Sequence, residues 1–361
     1  MQFSSHLAHL VLSLAPSLLT LFCSTVIRAT GANHCRNSSA TASSDPLSPD
    51  ETLFAHLRCF ELFASKQSDD RDRDAYNWLG SNESYLQRTE RTSSFVHCVL
   101  CRMRLFDESN VRFNVDLIRA QYNEYKPWLN LSEEAVGSFI NDIEALGQLN
   151  NSSEDVLYDA FEPLFRNHST AFFQLFLRDT AVLQNMHHDK ALSVRKPNQT
   201  VVQFCELRMS AELWHDICHI RAYEISNHTD AMERHIACIF RGFQYLDRNS
   251  SIDEEEIGRD YELIGRLDED TREYIQQCAI NATQVMEIPK RSLAMYSCLL
   301  DGTHSDEFKE AFDYREIRSG NLTFILKNLP YERDQVKQQI LALDKEHCND
   351  HEQLAGRFTI N

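Results

Sequence analysis

Glycine and proline are both scarce, ten and eight in a chain of 361 residues. With so few turn formers, and apolar residues that recur every three or four positions more often than they alternate, the chain reads as all-α rather than strand-rich. Basic residues are a minority as well: 36 Lys and Arg stand against 54 Asp and Glu, a net charge of −18. That balance speaks against nucleic acid and anionic membrane as partners, and it sets up a field that attracts small cations. No apolar run is long enough to cross a bilayer; the run from Leu10 to Phe22 has thirteen residues. The signatures G-x-S-x-G and H-E-x-x-H are missing, as are a phosphate-binding loop and paired metal-ligand spacing, so neither an enzyme nor a cofactor or metal is expected. The doublet His187 and His188 has no companion residue and reads as exposed.

Cysteine and glycosylation sequons are abundant. Eleven Asn-x-Ser/Thr sequons start at Asn37, Asn82, Asn130, Asn150, Asn151, Asn167, Asn198, Asn227, Asn249, Asn281 and Asn321. The short apolar run leads to small residues such as Thr30 and Ala32, so residues 1–32 read as a signal peptide, although no Lys or Arg precedes the run. If Cys23 leaves with it, ten of the eleven cysteines remain, an even number that fits up to five disulfides in a secreted protein.

The length allows two domains, each with a real core. Residues 33–47 form a polar leader that Cys35 can tether. Ser48-Pro49-Asp50-Glu51 starts a helix with a capping box and Pro at the first helical position, carrying Leu53, Leu57, Phe60 and Cys59. Cys98 and Cys101 follow one turn apart, and helices are expected at about 112–125, 132–146, 153–166 and 169–184. Residues 192–200, LSVRKPNQT, read as a linker between domains at 48–191 and 201–361. Beyond it, capping boxes at Ser251 with Glu254 and at Asp270 with Glu273 predict two more helix starts.

One stretch of the second domain is unusual. As a helix, HSDEFKEAFDYREIR (304–318) lines up Phe308, Phe312 and Glu316, with Asp313 beside Glu316. An acidic helix is ordinarily a solvated face, yet here a carboxylate sits on an apolar stripe and asks for a cation from the protein or a ligand. Trp214, Ile217 and Arg221 share a helical stripe, and His235 lies on the face of Met232, Ile236, Ile239 and Phe243. Arg221 and Glu316 could pair with each other and His235 could be a satisfied core residue. A plain ion pair leaves Asp313 and His235 unexplained, whereas the set with Tyr223, Tyr296 and Phe312 suits an aromatic amine.

The motifs SPDETLFAHLRCFE, CVLCRMRLFD, QFCEL, CHIRAY, HIACIFRGFQYL, MYSCL, DEFKEAFDYREIRS and ALDKEHC make the chain, over about residues 46–348, resemble the long-form D-seven salivary proteins of blood-feeding flies. The resemblance implies two linked odorant-binding-protein-like helical domains, secreted in saliva as a monomer and stapled by disulfides. It implies that the second domain removes serotonin, histamine or catecholamines from the bite site, countering haemostasis and inflammation. Asp313 and Glu316 would take the ammonium, Tyr296 and Phe312 the ring, and His235, Arg221 and Tyr223 the distal polar atoms or the orientation of the carboxylates. It also implies the disulfides Cys205–Cys238, Cys218–Cys348, Cys278–Cys298 and, in the first domain, Cys59–Cys98. A further family bridge in the first domain falls on Ser94 and Glu154 and is lost. Cys35 and Cys101 are extra and are expected to bond each other, although CxxC at Cys98 and Cys101 also suits a redox or zinc site. First domains of some family members bind eicosanoids such as cysteinyl leukotrienes or thromboxane-like lipids. Phe161, Phe165, Phe172, Phe173 and Phe176 could line such a channel or simply be core.

Overall fold

The first helix begins where its cap dictates. Ser48 Oγ accepts from the Glu51 amide at 3.2 Å and Glu51 Oε2 accepts from the Ser48 amide at 2.8 Å, closing the capping box ahead of α1 (Pro49–Phe63). The computed structural model describes residues 44–63, 83–86, 90–214, 216–225, 229–247, 249–326 and 330–348; the expected signal peptide, Cys35 and most of the expected leader lie outside them. After α1 come α2 (Glu83–Leu86), α3 (Glu90–Arg102), the short antiparallel pair β1 (Phe106–Asp107) and β2 (Arg112–Phe113), α4 (Val115–Tyr125), α5 (Glu133–Leu146), α6 (Glu154–Leu175) and α7 (Thr180–His188). The second half runs α8 (Val201–Glu206), α9 (Ala211–Trp214), α10 (Ile217–Arg221), α11 (Asp230–Gly242), α12 (Glu254–Leu263), α13 (Glu269–Thr283), α14 (Ile288–Asp301), α15 (Ser305–Ser319) and α16 (Arg333–His347). The fold is all-α.

Several boundaries differ from the sequence reading. The two helices expected at 153–166 and 169–184 are one long α6 followed by a separate α7. Packing of Phe161, Phe165 and Phe172 carries α6 through Pro163, which cannot donate to the carbonyl one turn back, and through a non-helical His168 (φ −125°, ψ 22°). The break comes at Leu177, left-handed at φ 53°, where the Arg178 amide bonds back to the Phe173 carbonyl. The starts of α12 and α13 are capped by Asp253 and Asp268 rather than Ser251 and Asp270. Ser251 is committed elsewhere: its carbonyl accepts from the Asp247 amide and its own amide donates to the Asp247 carboxylate, in the turn before α12.

The two halves repeat one device. Arg104 and Gln244, both at positive φ, end α3 and α11, with Leu105 and Tyr245 bonding back to the carbonyls of Leu100 and Phe240. An antiparallel pairing follows each, Phe106 with Phe113 and Leu246 with Ile252.

Disulfides join Cys59–Cys98 (α1 to α3), Cys205–Cys238 (α8 to α11), Cys278–Cys298 (α13 to α14) and Cys218–Cys348, which ties α10 to the residue after α16. Cys98 is thus committed to Cys59, which removes the CxxC redox reading. The Ser94 hydroxyl donates to the Glu154 carboxylate and joins α3 to α6 by a hydrogen bond.

One core is formed by α1 to α6, with Phe161, Phe165, Phe172 and Phe176 packed among themselves inside it. A second is formed by α8 to α16. Phe324, Ile325 and Leu326 follow α15 in sequence, yet they pack in the first core. The segment 192–200 is pinned as well: Arg195, only 4% exposed, donates to Asp50 of α1 and to the carbonyls of Gln199 and Ser319.

Candidate ligand-binding site

Six helices of the second half bring ionisable or aromatic side chains to one buried place. Arg221 ends α10, a helix of only five residues. Its Nη1 donates to Asp344 Oδ1 of α16 at 2.9 Å, and its Nη2 to Glu206 Oε2 of α8 at 2.7 Å and to Glu316 Oε1 of α15 at 3.4 Å. Nε also lies 2.6 Å from Glu206 Oε1, an ion pair without hydrogen-bond alignment. Burial opposes the arginine's charge, and the carboxylates of Glu316, Glu206 and Asp344 outweigh that cost and raise its pKa.

Two residues on, Tyr223 takes the left-handed conformation (φ 62°), which turns the chain back after α10 at a cost of about 1 kcal/mol for a residue with a Cβ. Its hydroxyl donates to Asp313 Oδ1 at 2.6 Å. Its ring meets Phe312 edge-on, centroids 6.1 Å apart, and Tyr296 of α14 approaches Phe312 likewise at 5.6 Å. Phe312, Asp313 and Glu316 are all buried on α15, at 5, 6 and 1% exposure, so this acidic helix is not a solvated face.

His235 sits on α11, 5% exposed, with no hydrogen-bond partner for Nδ1 among the described residues. Burial first, and then the Arg221 charge, pull its pKa down to about 4 against the opposing effect of a bond to the Cys205 backbone, so the ring is neutral at neutral pH. His235 also borders a cleft of about 740 Å³ between the halves, whose walls include Asp50, Tyr125, Phe204 and Arg241.

Of the seven predicted site residues, Tyr223, Tyr296, Phe312 and Asp313 touch one another and Arg221 pairs with Glu316 one turn along α15, while His235 senses Arg221 through its charge. The expected stripe of Trp214, Ile217 and Arg221 does not form: α9 ends at Trp214, whose side chain is exposed, and Arg221 belongs to the separate α10. Glu206 and Asp344, which sequence reasoning missed, make the closest contacts to Arg221. Glu206 ends a six-residue helix too short for periodicity to show, and Asp344 stands in a run dominated by polar residues. Among the described residues, one grouping of metal-ligand type occurs, His97, Cys101 and Glu108, with ligand atoms within 4.8 Å of one another in the first half.

The long form salivary protein D7L3 of Anopheles gambiae is 64% identical over 357 residues, covering 98% of this chain and 98% of its own length. The chain belongs to the long form D7 salivary protein family. It is a secreted salivary protein. The D7L1 protein of Aedes aegypti, another member, is 27% identical over 86% of this chain and 95% of its own. No protein-family profile matches the chain. Among solved D7 structures, AeD7 in complex with leukotriene E4 superposes with a TM-score of 0.66 at 24% identity, covering 80% of this chain and 95% of that one. Culex quinquefasciatus D7 long form 1 in complex with ADP superposes at 0.65 and 17% identity, covering 84% and 99%. Both share the fold.

Proposed function

We propose that the protein sequesters aromatic biogenic amines, such as serotonin, histamine or a catecholamine, in the Arg221–Glu316 site and so lowers their level at the bite. The observation that carries this reading is a cluster of buried acidic side chains next to the rings of Tyr223, Tyr296 and Phe312. One guanidinium faces Glu206, Glu316 and Asp344, and Asp313 adds a fourth carboxylate on the same helix. A protonated aromatic amine complements such a cluster, its ammonium in charge and its ring in shape. Asp313 and Glu316 take the ammonium, and Tyr296 and Phe312 flank the ring. The free nitrogen of His235 accepts from an indole N–H or a phenol O–H, while Arg221 and Tyr223 orient the carboxylates. A sink of this kind works near nanomolar affinity, about −12 kcal/mol, which two or three charge-assisted bonds and a buried ring can supply. Calorimetric titration with the three amines tests it; the absence of saturable binding by all of them would defeat it.

A second reading has its own observation. In the first core, His56 Nε2 and the Tyr85 hydroxyl are fully buried with no hydrogen-bond partner among the described residues, beside Phe95, Phe161 and Phe165. Such groups suit an apolar ligand with a polar head, as an eicosanoid lipid is. Titration with leukotriene E4 separates the two readings, since it needs none of the carboxylates of the amine site. In both readings the protein acts as a monomer, with domains at 48–191 and 201–361.

A further inference from the structure

We propose that the amine site is positioned from the first half of the chain through the linked contacts of Arg58, Glu256 and Arg315; the inference rests on the amine reading above. Helix α15 is buried on more than one side. Asp313 and Glu316 face the candidate site, while Arg315 and Arg318, at 0 and 1% exposure, point into the junction between the halves. Arg315 Nη1 donates to Asp260 at 3.1 Å and Nη2 to Glu256 at 3.1 Å, and Nη2 also reaches the Phe243 carbonyl. Glu256 in turn accepts both oxygens' worth of contact from Arg58 Nη2 of α1, at 2.5 and 2.7 Å. Arg58 also bonds Glu61, which takes Arg259 of α12.

A second route runs through rings. Phe324, part of the first core, lies 4.8 Å from the Arg315 guanidinium carbon, which stands 5.9 Å from Phe243. Phe243 meets Phe312 of the amine site at 5.1 Å. The far end of α15 is fixed to the same partner. Arg318 donates to the carbonyls of Phe324 and Leu326, and Arg195 links the Ser319 carbonyl to Asp50 of α1. Helix α15 therefore cannot shift its carboxylates without disturbing contacts to α1 and to residues 322–326. If an amine orders α15, those distant contacts tighten too, because coupling between sites is reciprocal.

Hydrogen exchange of the full-length protein, with and without the tightest-binding of serotonin, histamine and norepinephrine, tests this. Saturating amine is expected to slow exchange of α1 and of residues 322–326 by about threefold or more, as it does α15. Arg58→Met, checked as folded by near-ultraviolet dichroism, is expected to weaken that amine by about tenfold, the order of a typical coupling between sites. Arg58→Lys should recover part of the loss. If the wild type binds amine but α1 and residues 322–326 exchange unchanged, or if folded Arg58→Met binds within twofold of wild type, the inference is wrong and the amine reading stands. If the wild type binds no amine, the amine reading fails and takes this inference with it.

Discussion

Replacing Asp313 with asparagine removes one charge and almost no volume. In the structure Asp313 Oδ1 accepts the Tyr223 hydroxyl at 2.6 Å, and the amide oxygen of asparagine can accept it equally, so the change in stability should stay within about 1 kcal/mol. The bond to an ammonium is a different matter, since the variant offers a neutral acceptor where a buried ion pair is required. Losing one partner of such a pair costs about 2 to 5 kcal/mol, roughly 30-fold to several thousandfold in affinity. Isothermal calorimetry supplies the affinity and thermal melting the control. An affinity within about twofold of wild type would refute the assignment of the ammonium to Asp313. So would a loss of stability as large as the loss of binding, because the residue would then be holding the fold rather than the ligand.

Acid should destabilise the protein through its buried histidines. Burial, aided by the charges of Arg178 and Arg221 respectively, pulls His56 to about 3 and His235 to about 4, whereas the unfolded chain protonates both near 6.5. The unfolded state binds more protons in that window, so stability falls as pH drops from 6.5 to about 4, on the order of 3 kcal/mol per histidine. Asp253, raised to about 6 by burial and then by the Glu256 charge, works the other way as pH rises from 3.8 to 6, so the net slope is shallower than the histidines alone would give. Melting curves between pH 7 and 4.5 check this, and His56→Gln should flatten them. Replacing both Cys218 and Cys348 by serine opens a bridge spanning 130 residues and should cost roughly 5 kcal/mol of stability by chain entropy. Amine binding should weaken with it, since Asp344 and Arg221 are held by the same two segments; denaturant titration and calorimetry report both effects. Peptide mapping without reduction is expected to return Cys35 linked to Cys101.

Much of this architecture is visible in the residue pattern, and the exceptions have physical causes. The Ser48 capping box is purely local chemistry and appears where its four residues predict it. Helix α15 was legible because Phe308, Phe312 and Glu316 share a face, and a carboxylate among phenylalanines is conspicuous. Its other buried side was not. Arg315 and Arg318 look like ordinary surface charges until Glu256, Asp260 and the carbonyls of residues 324 and 326 surround them. Those partners lie far away in sequence, or in a loop with no periodicity. Glu206 and Asp344 escaped for the related reason that a short helix and a polar run carry no inward signature. The disulfide pairs are those the family resemblance implies, whereas cysteine spacing alone leaves many pairings open.

The central claim is that Asp313 and Glu316 are the anionic end of an amine pocket, and calorimetric titration of the wild type and of Glu316→Gln with serotonin, histamine and norepinephrine tests it most directly. Wild-type protein is expected to show one site per chain, with nanomolar to submicromolar affinity for at least one amine. The variant is expected to lose about 30-fold or more in affinity, while Arg221 keeps its closer partners Glu206 and Asp344 and the fold survives. Equal affinities for wild type and variant, or no saturable heat with any of the three amines, would contradict it.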